Sequence, residues 1–293
     1  MKKIAMKSAL ATSSLLAAAV SAGAHAEERF ALFDLGSLDT LIALGASDQV
    51  VGYPKQTMPG YLSSLEEGDY TDIGGLKTPD LDALAESEPT LIVYTGRQGE
   101  HKEALEAIAP LFDAGLTGDD YLAAFDDNVR TLAEHAGLES EAEDALETLH
   151  NEIETQREAL ADAPRTLVVT HNDGNYSLNE HPVIHELLGV EKQAMPDGVE
   201  AETFGERSFT RLSPEAIAEI DPERLLVIDR SAAIGQQPLD ADELRQQLEE
   251  AGAANAEVAV LSPALWYLSG GGLQSLSLQI DEVVSALGTA PAS

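Results

Sequence analysis

Residues 140–161 read SEAEDALETLHNEIETQREALA, and this stretch decides how the rest of the chain is arranged. Its apolar residues recur at spacings of three, four and seven, which places them on one stripe of a helix. A capping box of Ser140 and Glu143 is predicted at its start, and Pro164 prevents it from continuing. At about 1.5 Å per residue the helix is roughly 33 Å long, enough to run beside two domains. The stripe consists of Leu138, Ala142, Ala145, Leu146, Leu149, Ile153 and Leu160.

On both sides of this helix, short apolar runs typical of strands alternate with helical patterns. Before it, strands are predicted at 29–35, 49–52, 90–94 and 111–113, and helices at 37–44, 80–87, 100–108 and 119–135. After it, strands are predicted at 166–170, 225–229 and 258–261, and helices at 182–188, 214–220, 241–251 and 274–287, with loops elsewhere. Such alternation indicates parallel sheets covered by helices on both faces.

We therefore predict an α/β fold of two lobes with parallel-rich central sheets, bridged by a single long helix. The N-terminal lobe is predicted at 27–137, the bridging helix at 138–163 and the C-terminal lobe at 164–293. The alternative is one continuous domain in which the long helix lies on the surface.

The first 26 residues are typical of a targeting segment that is removed on export. Lys2, Lys3 and Lys7 precede an apolar run at 8–20, and an Ala-His-Ala cleavage site ends at Ala26. The run is too short to span a bilayer comfortably, and a chain without cysteine has no site for a lipid anchor. We expect an exported protein, cleaved after Ala26, with no membrane anchor and no disulfides.

The chain is strongly acidic, with 17 Lys and Arg against 52 Asp and Glu and a net charge of −35. This charge excludes nucleic acid and anionic lipid surfaces as partners. The acidic residues are spread along the whole sequence, which favours adaptation to high salt, where self-repulsion is screened. A cation-binding role for them is the less favoured interpretation.

A weak internal repeat relates the two predicted lobes. TPDLDALAESEPTLIVYTGR at 78–97 matches SPEAIAEIDPERLLVIDR at 213–230, and in each copy an arginine stands eight residues after a proline. These arginines, Arg97 and Arg230, follow the carboxyl end of a strand, where open α/β sheets bind ligands. Guanidinium groups fork onto paired oxygens, so the pair predicts an anionic ligand. Without its counterpart in the repeat, Arg97 would be interpreted as a solvated loop residue. Arg207 either adds to the positive electrostatic potential at the ligand site or lies on the surface.

The segment ALWYLSGGGLQS at 264–275 carries the only tryptophan, Trp266, beside Tyr267. Its three glycines permit close backbone approach before a helix, but no Lys-Ser/Thr pair follows them, so this is no phosphate loop. Core packing is the alternative role for the aromatic pair. His171, His181 and His185 do not have zinc-site spacing, and no nucleophile motif supports an enzyme.

At these residues the chain resembles the helical-backbone (class III) periplasmic binding proteins of ABC importers, in the branch that binds ferric catecholate siderophores. The segments that carry the resemblance are FDLGSLDTLIALG (33–45), VGYPKQ (51–56), IVYTGRQ (92–98), VIDRSAAIG (227–235) and WYLSGGG (266–272). The resemblance implies a periplasmic protein that captures a ferric siderophore between its lobes and delivers it to an ABC permease. It implies no enzyme activity and no intrinsic cofactor, with ferric iron carried as the siderophore complex, and we expect a monomer.

Arg97 and Arg230 match family arginines that meet catecholate oxygens, and Tyr267 matches a tyrosine that ligates iron. Two positions depart from the family, because Phe204 replaces its iron-ligating histidine and Glu180 replaces a third arginine. Either the ligand is hexadentate or less charged and needs no protein histidine, or His181 reaches the metal.

The loop that begins at Tyr53 and ends at Lys77 is too long for a plain connection and is predicted to bind the ligand. Tyr53 and Lys55 are expected on the first-lobe wall of the cleft, with Trp266 opposite. By resemblance, Asp82 and Glu215 dock on the permease. The alternatives are a receptor for haem or a corrinoid, an exported enzyme on the same scaffold, and a permease-associated scaffold without ligand.

Overall fold

A computed structural model describes residues 28–56, 58–204 and 207–288. The predicted targeting segment, 1–26, lies outside these residues. Among the described residues, no helix is long and apolar enough to cross a membrane.

The N-terminal lobe is built on a five-stranded sheet in which all neighbours are parallel, in the order β3-β2-β1-β4-β5. Its strands are β1 (Phe30–Leu32), β2 (Val50–Tyr53), β3 (Thr71–Asp72), β4 (Leu91–Tyr94) and β5 (Leu111–Asp113). Its helices are α1 (Leu35–Leu44), α2 (Leu81–Glu86), α3 (Lys102–Glu106) and α4 (Tyr121–Ala136). Strand β1 is buried on both faces, as expected of a central parallel strand. The strand order reverses beside β1, so a crevice opens between the carboxyl ends of β1 and β4.

The second lobe has a six-stranded mixed sheet in the order β11-β10-β6-β7-β9-β8. Its strands are β6 (Thr166–Asn172), β7 (Asn175–Leu178), β8 (Ala201–Phe204), β9 (Arg207–Leu212), β10 (Arg224–Asp229) and β11 (Glu257–Leu261). Its helices are α6 (Pro214–Ile220), α7 (Arg230–Ala233), α8 (Ala241–Ala251), α9 (Pro263–Tyr267) and α10 (Leu273–Leu287). Strands β6, β10 and β11 are parallel to one another, whereas β7, β8 and β9 are antiparallel additions.

The predictions of plain loops after residue 170 and before residue 213 are therefore wrong. The first region contains the hairpin of β6 and β7, and the second contains the hairpin of β8 and β9. The turn between β6 and β7 is Asp173-Gly174, whose φ angles are 51° and 72°. Positive φ at both central residues is the geometry of the tight hairpin turn that Asp-Gly favours. The segment with Trp266 and Tyr267, also predicted as a loop, forms the short helix α9.

The long helix forms as predicted, as α5 (Glu139–Ala159), and its stripe is buried. Leu146 and Ile153 share one apolar cluster with Val129 of α4, Val168 of β6 and Ile280 of α10, so α5 joins the packing of both lobes. The predicted capping box is wrong: Leu138 is the N-cap and makes no side-chain hydrogen bond. Helix α4 ends at Gly137, which leaves no separate turn in which Ser140 could act as a cap.

The last helix, α10, is held at its start by the N-terminal lobe. The Asp39 carboxylate of α1 accepts hydrogen bonds from the N–H groups of Gln274 (3.0 Å) and Ser275 (2.6 Å). A carboxylate at a helix N-terminus satisfies orphan N–H groups and complements the helix dipole. Burial raises the pKa of Asp39 to about 6, although these hydrogen bonds oppose the rise. Gly36 allows the close approach, because a Cβ there would lie 2.8 Å from the carbonyl oxygen of Gly270.

Candidate ligand-binding cleft

A cleft of about 280 Å³ lies between the two lobes at the carboxyl ends of the central strands. The N-terminal lobe lines it with Asp34, Thr95 and Arg97, and the second lobe with His181, Trp266 and Tyr267. Such crevices are the usual ligand sites of open α/β sheets and of two-lobed proteins.

Arg97 is placed by a short 3₁₀ helix (Gly96–His101) that directly follows β4. Thr95 caps this helix through its side chain, and Gln98 bonds back to the Thr95 N–H at 2.9 Å, which completes a capping box. The exposed guanidinium group of Arg97 crosses to the other lobe, donating to the carbonyl oxygens of Tyr267 (2.5 Å) and Leu268 (3.4 Å). Two N–H groups of five are therefore used within the protein.

Arg230 occupies the equivalent place in the second lobe, at the start of α7 immediately after β10. Its Nε donates to the phenol oxygen of Tyr267 at 2.7 Å, and its Nη1 donates to the side-chain oxygen of Asn172. The guanidinium group is half-buried and is held by two partners of its own lobe.

The two arginines converge on the ring of Tyr267. The Cζ of Arg97 lies 5.8 Å from the ring centroid and the Cζ of Arg230 lies 5.4 Å from it, both within cation–π range. One guanidinium group from each lobe therefore lies beside Tyr267, and that of Arg97 lines the cleft. Contact with a ligand stays a prediction.

A buried polar cluster behind Arg230 was missed in the sequence. His171 of β6 and Asp229 of β10 are both nearly inaccessible, and their Nδ1 and Oδ1 atoms lie 2.8 Å apart. Burial alone would raise the pKa of Asp229, but hydrogen bonds from His171 and from the N–H groups of Leu239 and Ala232 lower it. Because Asp229 also caps α7, the cluster fixes the helix turn that carries Arg230.

In the second-lobe lining of the cleft, His181 contacts Trp266 edge to face, with ring centroids 4.9 Å apart and an interplanar angle of 74°. Trp266 is only 5% exposed, and its indole N–H donates to Glu282 of α10 at 2.7 Å. Burial lowers the pKa of His181 to about 4, so its imidazole is neutral at physiological pH.

This two-lobed architecture, with its cleft and bridging helix, is shared with known proteins. Residues 31–265 match the periplasmic binding protein family. The chain belongs to this family. It is accordingly a binding protein and not an enzyme.

YclQ and PiuA are two relatives of this periplasmic binding protein with more than 30% identity. The petrobactin-binding protein YclQ of Bacillus subtilis (strain 168) is 34% identical over 270 residues, which cover 89% of this chain and 82% of YclQ. Its crystal structure gives a TM-score of 0.80 at 33% identity, covering 90% of this chain and 93% of that structure. The iron uptake ABC transporter substrate-binding protein PiuA of Streptococcus pneumoniae gives a TM-score of 0.78 at 31% identity, with coverages of 89% and 93%.

The catecholate-siderophore binding protein VctP of Vibrio cholerae shares the fold, with a TM-score of 0.75 at 20% identity and coverages of 88% and 93%. The likeness to YclQ also confirms the predicted fold class, two α/β lobes bridged by a long helix.

One predicted wall residue does not reach the cleft of the binding protein. Tyr53 is 0% exposed within the first-lobe core, and its hydroxyl donates to the carbonyl of Leu65 at 2.8 Å. Its predicted contact with a ligand is therefore wrong, because the loop folds back over the strand as a 3₁₀ helix (Gly60–Glu67). Lys55 lies near it, with Nζ 5.8 Å from the Tyr53 ring centroid, outside the group of side chains that line the cleft around Arg97.

Glu180 and Phe204 are the two positions that depart from the family pattern. Glu180 is exposed and paired with Lys192, whose Nζ is 2.9 Å from its carboxylate, so the net charge at this position is balanced. The side chains of Phe204 and Arg207 lie outside the described part of the structure. Within that part, no group of three or more His, Cys, Asp or Glu side chains is arranged to hold a metal ion.

Asp34 is the acidic group in the cleft. It caps α1 by accepting from the N–H and the hydroxyl of Ser37, each at 2.8 Å. Burial raises the pKa of Asp34, against the hydrogen bonds from Ser37 and the field of Arg97. The lining of the cleft therefore combines the guanidinium group of Arg97, the phenol of Tyr267 and one carboxyl group, and Arg230 is hydrogen-bonded to that phenol.

Proposed function

We propose that this protein captures a ferric siderophore of the catecholate type in the cleft between its lobes and delivers it to an ABC permease. The observation that carries the proposal is the convergence of Arg97 and Arg230, one from each lobe, on the backbone carbonyl and the phenol oxygen of Tyr267. A ferric tris-catecholate carries about three negative charges spread over oxygens, which suits forked guanidinium donors. The names of YclQ and PiuA, a petrobactin-binding protein and an iron uptake protein, support the same ligand class.

The positive charge in the cleft is stronger evidence for an anionic ligand because the rest of the chain is so acidic. A net charge of −35 repels anions at long range, so an anionic ligand needs local cations to bind. Only ten arginines occur in the whole sequence, and two of them lie beside the ring of Tyr267, which lines this cleft. Arg207 is proposed to contact the ligand, whereas Lys55 lies outside the group of side chains that line the cleft.

Tyr267 is proposed to ligate the iron or to stack on the ligand. Its phenol oxygen already accepts a hydrogen bond from the Nε of Arg230, which fixes the position of that oxygen. Because Phe204 offers no ligand atom, the siderophore itself supplies most or all of the iron's oxygen ligands. Iron in this account is cargo, and no cofactor of the protein is proposed.

Export and docking complete the proposal. We assign the protein to the periplasm as a monomer without membrane anchor, released by cleavage after Ala26. Asp82 and Glu215 are assigned to permease docking, since both are exposed in the first turns of α2 and α6. Each helix leads into a sheet strand, β4 or β10, which places its N-terminus at the same sheet edge as the cleft. The acidic surface is assigned to adaptation to high salt.

The proposal is tested by titrating the full mature chain with ferric petrobactin, a ferric tris-catecholate, haemin and a corrinoid. We expect saturable one-to-one binding of the ferric catecholates and none of the other two. Haemin binding with a strong Soret band, or corrinoid binding, and no catecholate binding would replace the proposal by the corresponding receptor.

A further inference from the structure

We infer that His181 presents an Nε2–H donor to an acceptor oxygen of the bound ligand, and that it is a specificity residue rather than an iron ligand. The inference deepens the proposed function and rests on it for the nature of the ligand. According to this inference, the second-lobe wall of the cleft contacts the organic part of the siderophore.

The position of the ring proton follows from the backbone beside His181. The N–H of Val183 donates to the Nδ1 of His181 at 3.3 Å, which occupies the Nδ1 lone pair. A neutral imidazole carries one N–H, so the proton resides on Nε2. Among the described residues, no group of the protein accepts a hydrogen bond from this Nε2, and His181 lines the cleft.

The contact with Trp266 also restricts the orientation of the His181 ring. Its neighbour Trp266 is anchored by Glu282, which accepts from the indole N–H at 2.7 Å and from the N–H of Ser262 at 3.1 Å. Because the buried indole is fixed at its nitrogen, the Trp266 ring that contacts His181 edge to face is rigid. The donor direction is thus set before a ligand arrives.

The backbone under His181 is a single π turn (Val183–Leu187), closed by the Leu188 N–H bonding to the Val183 carbonyl. Such turns are frequent at functional sites. Arg157 of α5 donates to the carbonyl oxygens of Leu187 (2.7 Å) and Glu186, so the bridging helix is fastened to the turn that carries His181.

Iron ligation by Nε2 would require its proton to move to Nδ1, and the hydrogen bond from Val183 would then be lost. As a donor, Nε2–H instead matches a catecholate, carboxylate or amide oxygen outside the metal's inner coordination sphere. The ligand must therefore bring an acceptor oxygen to this wall while filling the iron's coordination without the histidine.

The first test needs no ligand. In ¹⁵N-histidine-labelled protein at pH 7, the His181 ring, assigned by its absence in His181→Gln, should have the shifts and couplings of a neutral ring protonated at Nε2. A ring protonated at Nδ1 would overturn the inference.

The second test compares His181→Gln, which keeps a donor near the Nε2 position, with His181→Asn, whose shorter amide does not reach it, and His181→Phe. For ferric petrobactin, we expect Gln within about threefold of wild type and Asn and Phe about tenfold weaker, the effect of one hydrogen bond. The ferric charge-transfer band should be the same in all four proteins. A band shift in His181→Phe, or ¹⁵N hyperfine coupling to the iron in the labelled complex, would show ligation and overturn the inference.

If His181→Phe and wild type bind ferric petrobactin with equal affinity, and thermal melts show that both are folded, the inference is also overturned. Failure of the wild type to bind any ferric catecholate is a different result. It would remove the proposed function, while the apo measurement would still report the tautomer.

Discussion

Arg97, from the first lobe, donates a 2.5 Å hydrogen bond to the main-chain carbonyl of Tyr267, in the second lobe. The same tyrosine accepts through its phenol oxygen from Arg230 at 2.7 Å. Tyr267 is thus fixed by a backbone contact from one lobe and a side-chain contact from the other. This arrangement pre-forms the cleft, so we expect ligand binding to require little closure of the lobes.

Replacing either arginine by glutamine should weaken binding of ferric catecholates by about 10- to 100-fold, the value of one or two charged hydrogen bonds. Lysine should restore only part of the loss, since it keeps the charge but not the fork. Isothermal titration of Arg97→Gln, Arg97→Lys and Arg230→Gln measures the effect. Arg245→Gln is the matched control, because Arg245 is exposed and paired with Asp242 on α8. Losses as large in the control would refute a local role for the cleft arginines.

Replacing Tyr267 by phenylalanine separates coordination from stacking. If the phenol meets the iron, the variant should shift the ferric charge-transfer band and lose affinity more for tetradentate than for hexadentate catecholates. The tetradentate ligand leaves coordination sites that the protein must fill, whereas the hexadentate one does not. Absorption spectra and titrations with both ligands give the answer. An unchanged spectrum and affinity for both would remove the coordination role of Tyr267.

Asp39 makes stability depend on pH where the lobes meet. Its pKa of about 6 in the folded protein lies above the ordinary value of 3.8, so the folded state binds the proton more tightly. The free energy of unfolding should therefore fall as pH rises from about 4 to 6, by at most about 1.4 kcal/mol per pH unit from this group.

Urea unfolding at several pH values should show this contribution in wild type and not in Asp39→Asn. Asp48→Asn, at an exposed position, is the control and should keep it. An Asp39→Asn profile parallel to that of wild type would contradict the assignment.

The acidic surface predicts a response to salt. With a net charge of −35, self-repulsion destabilises the folded chain at low ionic strength, and salt screens it. The melting temperature should therefore rise steadily when NaCl is increased from about 0.05 M to 2 M, where the Debye length is below about 3 Å. Sodium sulfate at equal ionic strength separates screening from salting-out. A melting temperature that does not change, or that falls, would contradict adaptation to salt.

Local patterns were enough to predict the scaffold and the paired arginines. The stripe of α5 and the strand-helix alternation depend on residues a few positions apart, and the internal repeat placed Arg97 and Arg230 at equivalent strand ends. The glycine at the end of α1, Gly45, has the left-handed conformation typical of a helix C-terminus, with a φ of 92°.

What the sequence did not reveal depends on distant pairs. His171 and Asp229 are 58 positions apart and meet only because β6 and β10 are neighbours in the sheet. The hairpin at Asp173-Gly174 carried a local signal that could have been recognised, since Asp-Gly between two apolar runs favours a tight turn. For Tyr53, the decisive fact is the return of the following loop over the strand, which no local pattern shows.

The most direct test of the central claim is a titration of Trp266 fluorescence. This is the only tryptophan of the chain, and it lines the cleft beside Tyr267. Ferric petrobactin or a ferric tris-catecholate should quench it saturably with one-to-one stoichiometry, whereas the metal-free siderophore should quench it weakly or not at all. Absence of saturable quenching by any ferric catecholate, with the protein shown to be folded, would contradict the account.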